Sequence, residues 1–306
     1  MKFSIVIPLY NKALYVRETL ESLANQTKLP YEVIIVDDKS TDDSLNEVLE
    51  YLDNIPKRFE KVRVEIIRLE ENRGVGYARN VGFKKTTGDI VSFLDADDIY
   101  EENLLEVTEE IMLHNNIDFL ILGIQLFPTY EVYPKLHKIQ KELIRHTPEL
   151  YTFQHPLKTI TSHNFYMGVG SNVIIKRTLG SSVKYIEENI FYEGIDYWYR
   201  VLRNMLANKN ANIGLLMGNY LKVREVQGSA SRKKYPKWDD IDIPPVLTRF
   251  KNSKDYFDRR LKGVVSLRWI KHALANLSNR SEKVKFIINY KRIFLNQLHY
   301  YFLHKF

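Results

Sequence analysis

The sequence predicts an α/β protein built on a mainly parallel sheet flanked by helices, and three observations carry that prediction. Short runs rich in Ile, Val and Phe recur at Phe3–Pro8, Glu32–Asp37, Val64–Leu69, Asp89–Leu94 and Asp118–Phe127. They are apolar almost throughout rather than alternating, as strands covered on both faces must be. Amphipathic stretches separate them, and alternating strands and helices imply a sheet with helices on both sides. Polar residues then crowd the carboxyl ends of three runs: Tyr10-Asn11 after Pro8-Leu9, Asp37-Asp38, and Asp95-Ala96-Asp97-Asp98. In open α/β sheets ligands bind at that edge.

Between the first two runs, Val16, Leu20, Leu23 and Ala24 share one helical face; Leu104, Thr108, Ile111 and Met112 do the same further on. Thr41, Asp42, Asp43 and Ser44 are cap-type residues ahead of another helix. After Phe127 the alternation breaks down. Residues 128–165, with several Pro and His, read as a long surface excursion. A strand is expected near Ser171–Ile175, a helix with Trp198, Val201, Leu202 and Met205 on one face, and a strand near Ile213–Val223. Pro236, Pro244 and Pro245 punctuate a boundary. Two candidate helices follow, one carrying Val264, Leu267, Ile270, Leu274 and Leu277, the other Val284, Ile287, Ile288, Leu295, Leu298 and Phe302.

With 306 residues, 44% hydrophobic and 27% charged, the chain has the composition of a folded protein with a large core. It has no Cys, which excludes disulfides, Cys-ligated zinc and a Cys nucleophile, and suits a reducing compartment. No stretch approaches the roughly 18 uncharged apolar residues that cross a bilayer. The N-terminus opens into a strand and lacks a signal-peptide layout. A cytoplasmic, non-spanning protein is expected. The formal charge of +7 is uneven: residues 221–306 hold 20 Lys and Arg against 7 Asp and Glu, whereas residues 1–220 hold 25 against 31. The basic third suits an anionic partner such as the inner face of the cytoplasmic membrane, or is simply a solvated helical face.

Phe93-Leu94-Asp95-Ala96-Asp97-Asp98 is the sharpest chemical feature. Carboxylates crowded at a strand end repel one another, and a hard cation such as Mn²⁺ or Mg²⁺ relieves this, commonly through one or two carboxylates plus substrate phosphates. The competing reading is a solvated turn that caps the next helix. Taken together, Ser4–Lys12, Val36–Asp42, Asn72–Gly82 and Phe93–Asp98 resemble family 2 glycosyltransferases, in that family's order and close to its spacing. The resemblance is clear over residues 1–100 and patchy over 160–232.

It implies a GT-A fold, with a catalytic domain over 1–235 and a basic helical C-terminal extension over 236–306. Residues 1–100 would form the nucleotide-sugar half and 101–235 the acceptor half. It implies that Tyr10 lies against the base, with Pro8 and Asn11 beside it, and that Asp38 accepts the uracil N3–H. Arg79 and Asn80 would line the nucleotide and diphosphate, Asp95 and Ala96 the ribose or sugar, and Asp97, with Asp95, the metal. Arg224 matches an Arg that contacts diphosphate, while Gln227 stands where the family often has a metal-binding His. In Phe191–Trp198, Asp196 aligns with the general base and Glu193 is its understudy; Ile195 stands where Glu is common. The activity implied is inverting transfer from a UDP-sugar to a glycan or lipid-linked acceptor in cell-surface polysaccharide synthesis. The alternatives are a sugar-phosphate nucleotidyltransferase, although Pro8–Asn11 lacks that class's Gly-rich basic loop, and a non-catalytic module using the basic third. Nucleic acid is the weaker partner. Tyr300, Tyr301, Phe302 and Phe306, beside Lys291, Arg292 and Lys305, suit an interfacial helix or a homodimer contact.

Overall fold

The computed structural model describes residues 1–165, 170–188, 190, 192–207, 212–226 and 233–295. In chain order the first half runs β1 (Phe3–Leu9), α1 (Val16–Ala24), β2 (Glu32–Asp37), α2 (Ser44–Asp53), β3 (Arg63–Arg68), α3 (Val75–Lys85), β4 (Ile90–Phe93), β5 (Ile99–Tyr100), α4 (Leu104–His114), β6 (Phe119–Leu122) and β7 (Ile124–Phe127). The second half runs β8 (Val132–Tyr133), β9 (Leu143–Arg145), β10 (Leu150–Phe153), α5 (Pro156–Ile160), β11 (Val173–Lys176), α6 (Arg177–Gly180), α7 (Glu193–Ala207), β12 (Ile213–Leu216), β13 (Leu221–Arg224), α8 (Pro245–Arg249), α9 (Tyr256–Asn276) and α10 (Arg280–Asn289).

Nine strands form the main sheet in the order β3-β2-β1-β4-β11-β6-β12-β10-β9. The β3-β2-β1-β4 half is parallel, and β11 enters antiparallel between β4 and β6. Side chains of β1 alternate between two cores. Phe3, Ile5, Ile7 and Leu9 pack with Val16, Leu20 and Leu23 of α1, whereas Val6 joins Ala78 of α3 and Trp198 of α7 on the other face. The predicted inward residues Trp198, Val201, Leu202 and Met205 are all buried. Full burial of a side chain of that size contributes about 1.5–3 kcal/mol, which outweighs any local preference in setting the helix's rotation.

The expected strands over Asp118–Phe127 and Ile213–Val223 are each two strands. β6 and β12 belong to the main sheet, while their continuations β7 and β13 pair in a second sheet ordered β5-β13-β7-β8. The change of sheet in the later pair falls at Gly218, whose φ of +140° L side chains rarely adopt. Residues 128–165 are also no surface excursion. They contribute β9 and β10 to the main sheet and bury Ile139, Leu143, Leu150, Phe153 and Ile160.

The basic extension packs back on the catalytic part. Ile195 and Tyr199 of α7 share a core with Val246, Leu261, Val265 and Trp269. The Tyr199 hydroxyl donates to Asp258 at 2.7 Å, and Arg203 bonds Asp255 at 3.0 and 3.2 Å. On the last helix Phe286 is buried, whereas the aliphatic row of Val284, Ile287 and Ile288 is exposed. An aromatic ring against Trp269 buries more area than the aliphatic row would, so the helix turns that side in. Leu298 and Phe302 lie outside the described residues.

Glu32 is a buried charge that the fold satisfies completely. It accepts from Ser4 Oγ at 2.6 Å, Thr87 N at 2.6 Å and Gly88 N at 3.3 Å, and pairs with Arg63 at 2.6 Å. Burial alone would raise its carboxyl, but the bonds from Ser4, Thr87 and Gly88 outweigh it and hold the group below its ordinary value of 4.5. A carboxyl depressed in the folded state stabilises above the unfolded value, and that contribution is lost as pH falls through the folded value. Glu32→Gln is therefore expected to lose about 1–3 kcal/mol at neutral pH, shrinking in acid as pH falls through the folded carboxyl value, as read from urea titrations. An equal loss at neutral and acid pH would show that the charge contributes nothing.

Candidate active site

Because β1, β2 and β4 are parallel neighbours, their carboxyl ends open on one edge, where the sequence places its polar clusters. Pro8 is buried within β1, in register with Val36. Tyr10, just beyond β1, is 43% exposed, which leaves its ring available as a platform. Asn11 turns the chain there with φ +52°, a value Asn tolerates. Its amide is engaged with the neighbouring loop: Oδ1 accepts from Thr41 N at 2.8 Å, and Nδ2 donates to Thr41 Oγ1 at 3.1 Å. Asn11 therefore ties two loops of the edge together.

Asp38 is buried and accepts from the backbone of Arg73 at 2.8 Å and Gly74 at 2.7 Å. It thereby holds the segment that opens α3. Each oxygen keeps a second lone pair, so the carboxylate can still accept an N–H from a base. Burial first, and the charge of Asp37 after it, lift its carboxyl above the ordinary value against those two bonds. Asn80, expected to line the nucleotide, has another task. Its side chain bonds the backbone of Tyr185 in both directions, at 3.0 and 2.8 Å, and so pins residues 185–187 beside α3.

The centre of the site is Arg79. Only 3% exposed, it donates to Asp95 Oδ1 at 2.7 Å and to Glu193 Oε1 at 2.7 Å, joining the β4 turn to the first residue of α7. Burial would lower its pKa, yet Asp95 foremost, with Tyr185 and Glu193, carries it above the usual arginine value, so the bridge is permanently charged. Gly170 lies directly behind it: an added Cβ would stand 2.1 Å from Arg79 Nη2 and 2.6 Å from Asp95 Oδ1. Any side chain there would break the bridge.

The β4 turn separates its carboxylates by direction. Asp98 faces inward and is buried, taking Ser171 Oγ at 2.5 Å and the backbone N–H of Arg224 at 3.2 Å. Burial, then the charges of Asp95 and Asp97, raise it well above an ordinary carboxyl. Ala96 also faces inward, its methyl in the core, so only its backbone remains for a donor. Asp97 faces the edge and pairs with Lys12. Burial raises the Asp97 carboxyl, Lys12 opposes this, and Asp95 adds to it. Arg224 stands alongside, its Nε donating to the Asp97 carbonyl at 3.2 Å and its guanidinium paired with Glu18.

This donor set is compatible with a hard divalent cation. Asp95 and Asp97 offer oxygens from one turn, and the charge of Asp95 adds to the burial that raises the Asp97 carboxyl. Among the described residues no group of three or more His, Cys, Asp or Glu is arranged for a metal. Gln227 lies outside the described residues.

The expected base, Asp196, is not presented to this edge. It is fully buried, with Oδ2 taking Arg200 at 2.9 and 2.8 Å and Oδ1 taking Arg249 at 2.7 Å. Oδ1 thereby ties the C-terminal extension to α7, while Oδ2 is held by a pair within α7 itself. Glu193, one turn earlier, is the carboxylate that reaches the site. Lys12, Ser171 and Asp98 take structural parts in the site that motif reading did not assign. Lys12 follows a strand end and Asp98 closes an acidic cluster, which were the available signals; Ser171 carried none.

A mainly parallel sheet thus carries an exposed aromatic ring, an acidic turn and a buried arginine at its strand ends, the edge where open α/β sheets bind ligands. The family model described as glycosyl transferase family 2 matches residues 4–178, and the chain belongs to that family. It is similar to the UDP-Glc:alpha-D-GlcNAc-diphosphoundecaprenol beta-1,3-glucosyltransferase WfgD of Escherichia coli, at 28% identity over 244 residues, covering 77% of this chain and 83% of that protein. The poly(ribitol-phosphate) beta-N-acetylglucosaminyltransferase TarS of Staphylococcus aureus is 36% identical over 125 residues, 40% of this chain and 21% of TarS, about a fifth of that relative's length. The crystal structure of S. aureus TarS 1-349 in complex with UDP-GlcNAc superposes with a TM-score of 0.60 at 20% identity, covering 97% of this chain and 80% of that one. The complex with UDP gives 0.58 at 23%, covering 89% and 70%. At such identities the structural likeness speaks for the shared GT-A fold.

Proposed function

We propose that this glycosyltransferase moves a sugar from a UDP-sugar to a hydroxyl of a glycan or lipid-linked acceptor, with inversion, in the assembly of a cell-surface polysaccharide. The observation that carries this reading is the Asp95–Arg79–Glu193 bridge beside the edge-facing Asp97. It supports a reading in which Glu193 of α7 serves the proton and Asp97 a cation, both beside the acidic turn that follows β4. The E. coli relative, whose name puts its acceptor on a diphosphate-linked lipid, supports that acceptor class. The solved neighbours in complex with UDP and UDP-GlcNAc support the nucleotide.

In this mechanism Tyr10 stacks on the base and Asp38 accepts its N–H. Asp97, with Asp95, would hold Mn²⁺ or Mg²⁺, a cation that would supply positive charge against the leaving diphosphate. Glu193, oriented by Arg79 through Oε1, takes the proton of the acceptor hydroxyl. That oxygen attacks the anomeric carbon as the bond to the diphosphate breaks, and UDP departs with the bonding pair. Arg224 lies on the diphosphate side, where its charge favours the product anion.

The reading is tested by titrating UDP calorimetrically, with GDP, CMP and ADP as controls, in Mn²⁺ and in EDTA. Saturable, Mn²⁺-dependent binding selective for UDP is expected. Asp97→Ala is expected to weaken it at least tenfold, about 1.4 kcal/mol. Lys12→Met, by removing the ammonium that occupies Asp97, is expected to raise Mn²⁺ affinity measured without nucleotide. Absence of binding by every nucleotide under both conditions would sink the reading.

A further inference from the structure

We propose that the outer face of α10 and the residues just after it dock on an anionic bilayer surface. The inference is independent of the donor site, because it concerns a face of the C-terminal extension that the catalytic machinery does not use. Among the described residues twelve large hydrophobic side chains are exposed, and eight of them are scattered along the chain. The other four fall within twelve residues: Val284 at 48%, Ile287 at 39%, Ile288 at 59% and Leu295 at 63%. Val284, Ile287 and Ile288 stand at i, i+3 and i+4 of α10 and therefore share one face. Scattered exposed hydrophobics need no explanation, but a contiguous row does.

The helix is not free to turn that row inward. Phe286 is buried and packs on Trp269, with ring centroids 4.9 Å apart; Tyr290 packs on the same indole at 4.8 Å. The Asn279 side chain caps the N-terminus by accepting from Glu282 N at 3.0 Å. A capped helix anchored by two aromatic residues presents the aliphatic row outward as a fixed feature.

Charge selects the occupant. Between residues 280 and 295 the chain carries Arg280, Lys283, Lys285, Lys291 and Arg292 and a single acidic residue, Glu282. Glu282 is turned inward, where it accepts from Trp238 N at 3.0 Å and pairs with Lys285. A second copy seated on this face by a two-fold axis would set one basic row against another. Anionic headgroups complement the cations while the aliphatic row enters the boundary with the acyl chains, the arrangement of an interfacial amphipathic helix.

The test is flotation of the full chain with phosphatidylcholine vesicles and with vesicles holding about 30% phosphatidylglycerol, at low and high salt. Association with the anionic vesicles at least tenfold above the neutral ones, weakened by salt, is expected. Ile287→Glu/Ile288→Glu is expected to lower it about tenfold, with the melting temperature and UDP titration unchanged. Lys291→Gln/Arg292→Gln is expected to reduce the preference for anionic vesicles. Failure of the wild-type chain to float with anionic vesicles would overturn the proposal. So would undiminished flotation of Ile287→Glu/Ile288→Glu, or a solution dimer that this pair of substitutions dissociates.

Discussion

Glu193→Gln is expected to lower turnover about 10²–10⁴-fold while donor affinity stays within about threefold. The carboxamide preserves shape and can still accept from Arg79 Nη1, so the bridge to Asp95 is retained while the proton acceptor is lost. The measurement is UDP release at saturating donor and acceptor, paired with calorimetric UDP affinity on the same preparation. Near-normal turnover would remove Glu193 as the base. Lost turnover together with lost UDP affinity would instead assign it to holding Arg79. The choice of Glu193 rests on its Oε1 sharing a guanidinium with Asp95, which keeps it beside the acidic turn.

Asp196→Ala is expected to act on stability instead. Removing a fully buried carboxylate from between two guanidinium groups typically costs about 3–5 kcal/mol, because the partners remain without a counter-charge. Arg249 is 41% exposed and can turn toward solvent, which places the loss toward the lower end of that range. A fall in melting temperature on the order of 5–10 °C is expected, with turnover per folded molecule within about threefold of wild type. Unchanged melting temperature with abolished turnover would return the base role to Asp196. Arg249→Met should reproduce the stability loss in part, since it severs the same link between α7 and the helices that follow.

The two variants together mark where sequence reading stopped. Glu193 and Asp196 are both acidic residues in the first turn of α7, and a helix N-terminus favours either. Three residues along a helix is enough to aim one carboxylate at Arg79 and the other at Arg249, partners that come from distant parts of the chain, with Arg200 one turn further along the same helix. The same limit applies to Asn80, whose motif position suggested the nucleotide and whose amide is bound to the backbone of Tyr185. Sheet switching at Gly218 was invisible for a related reason. An apolar run reads alike whether its partner is one sheet or two, and only the pairing of β12 with β6 and of β13 with β5 and β7 separates them.

By itself the sequence determined the local matter: the apolar strands of the first half to within a residue or two, the inward face of α7, and the edge where Tyr10, Asp38 and Asp97 gather. Those follow from side-chain hydrophobicity at short periods and from the parallel geometry that such runs impose. The tertiary structure alone decided the order of the nine strands, the inward turn of Phe286 that leaves Ile287 and Ile288 outside, and which carboxylate Arg79 receives. Each of these depends on contacts between residues far apart in the chain, where burial and charge pairing outweigh any local preference.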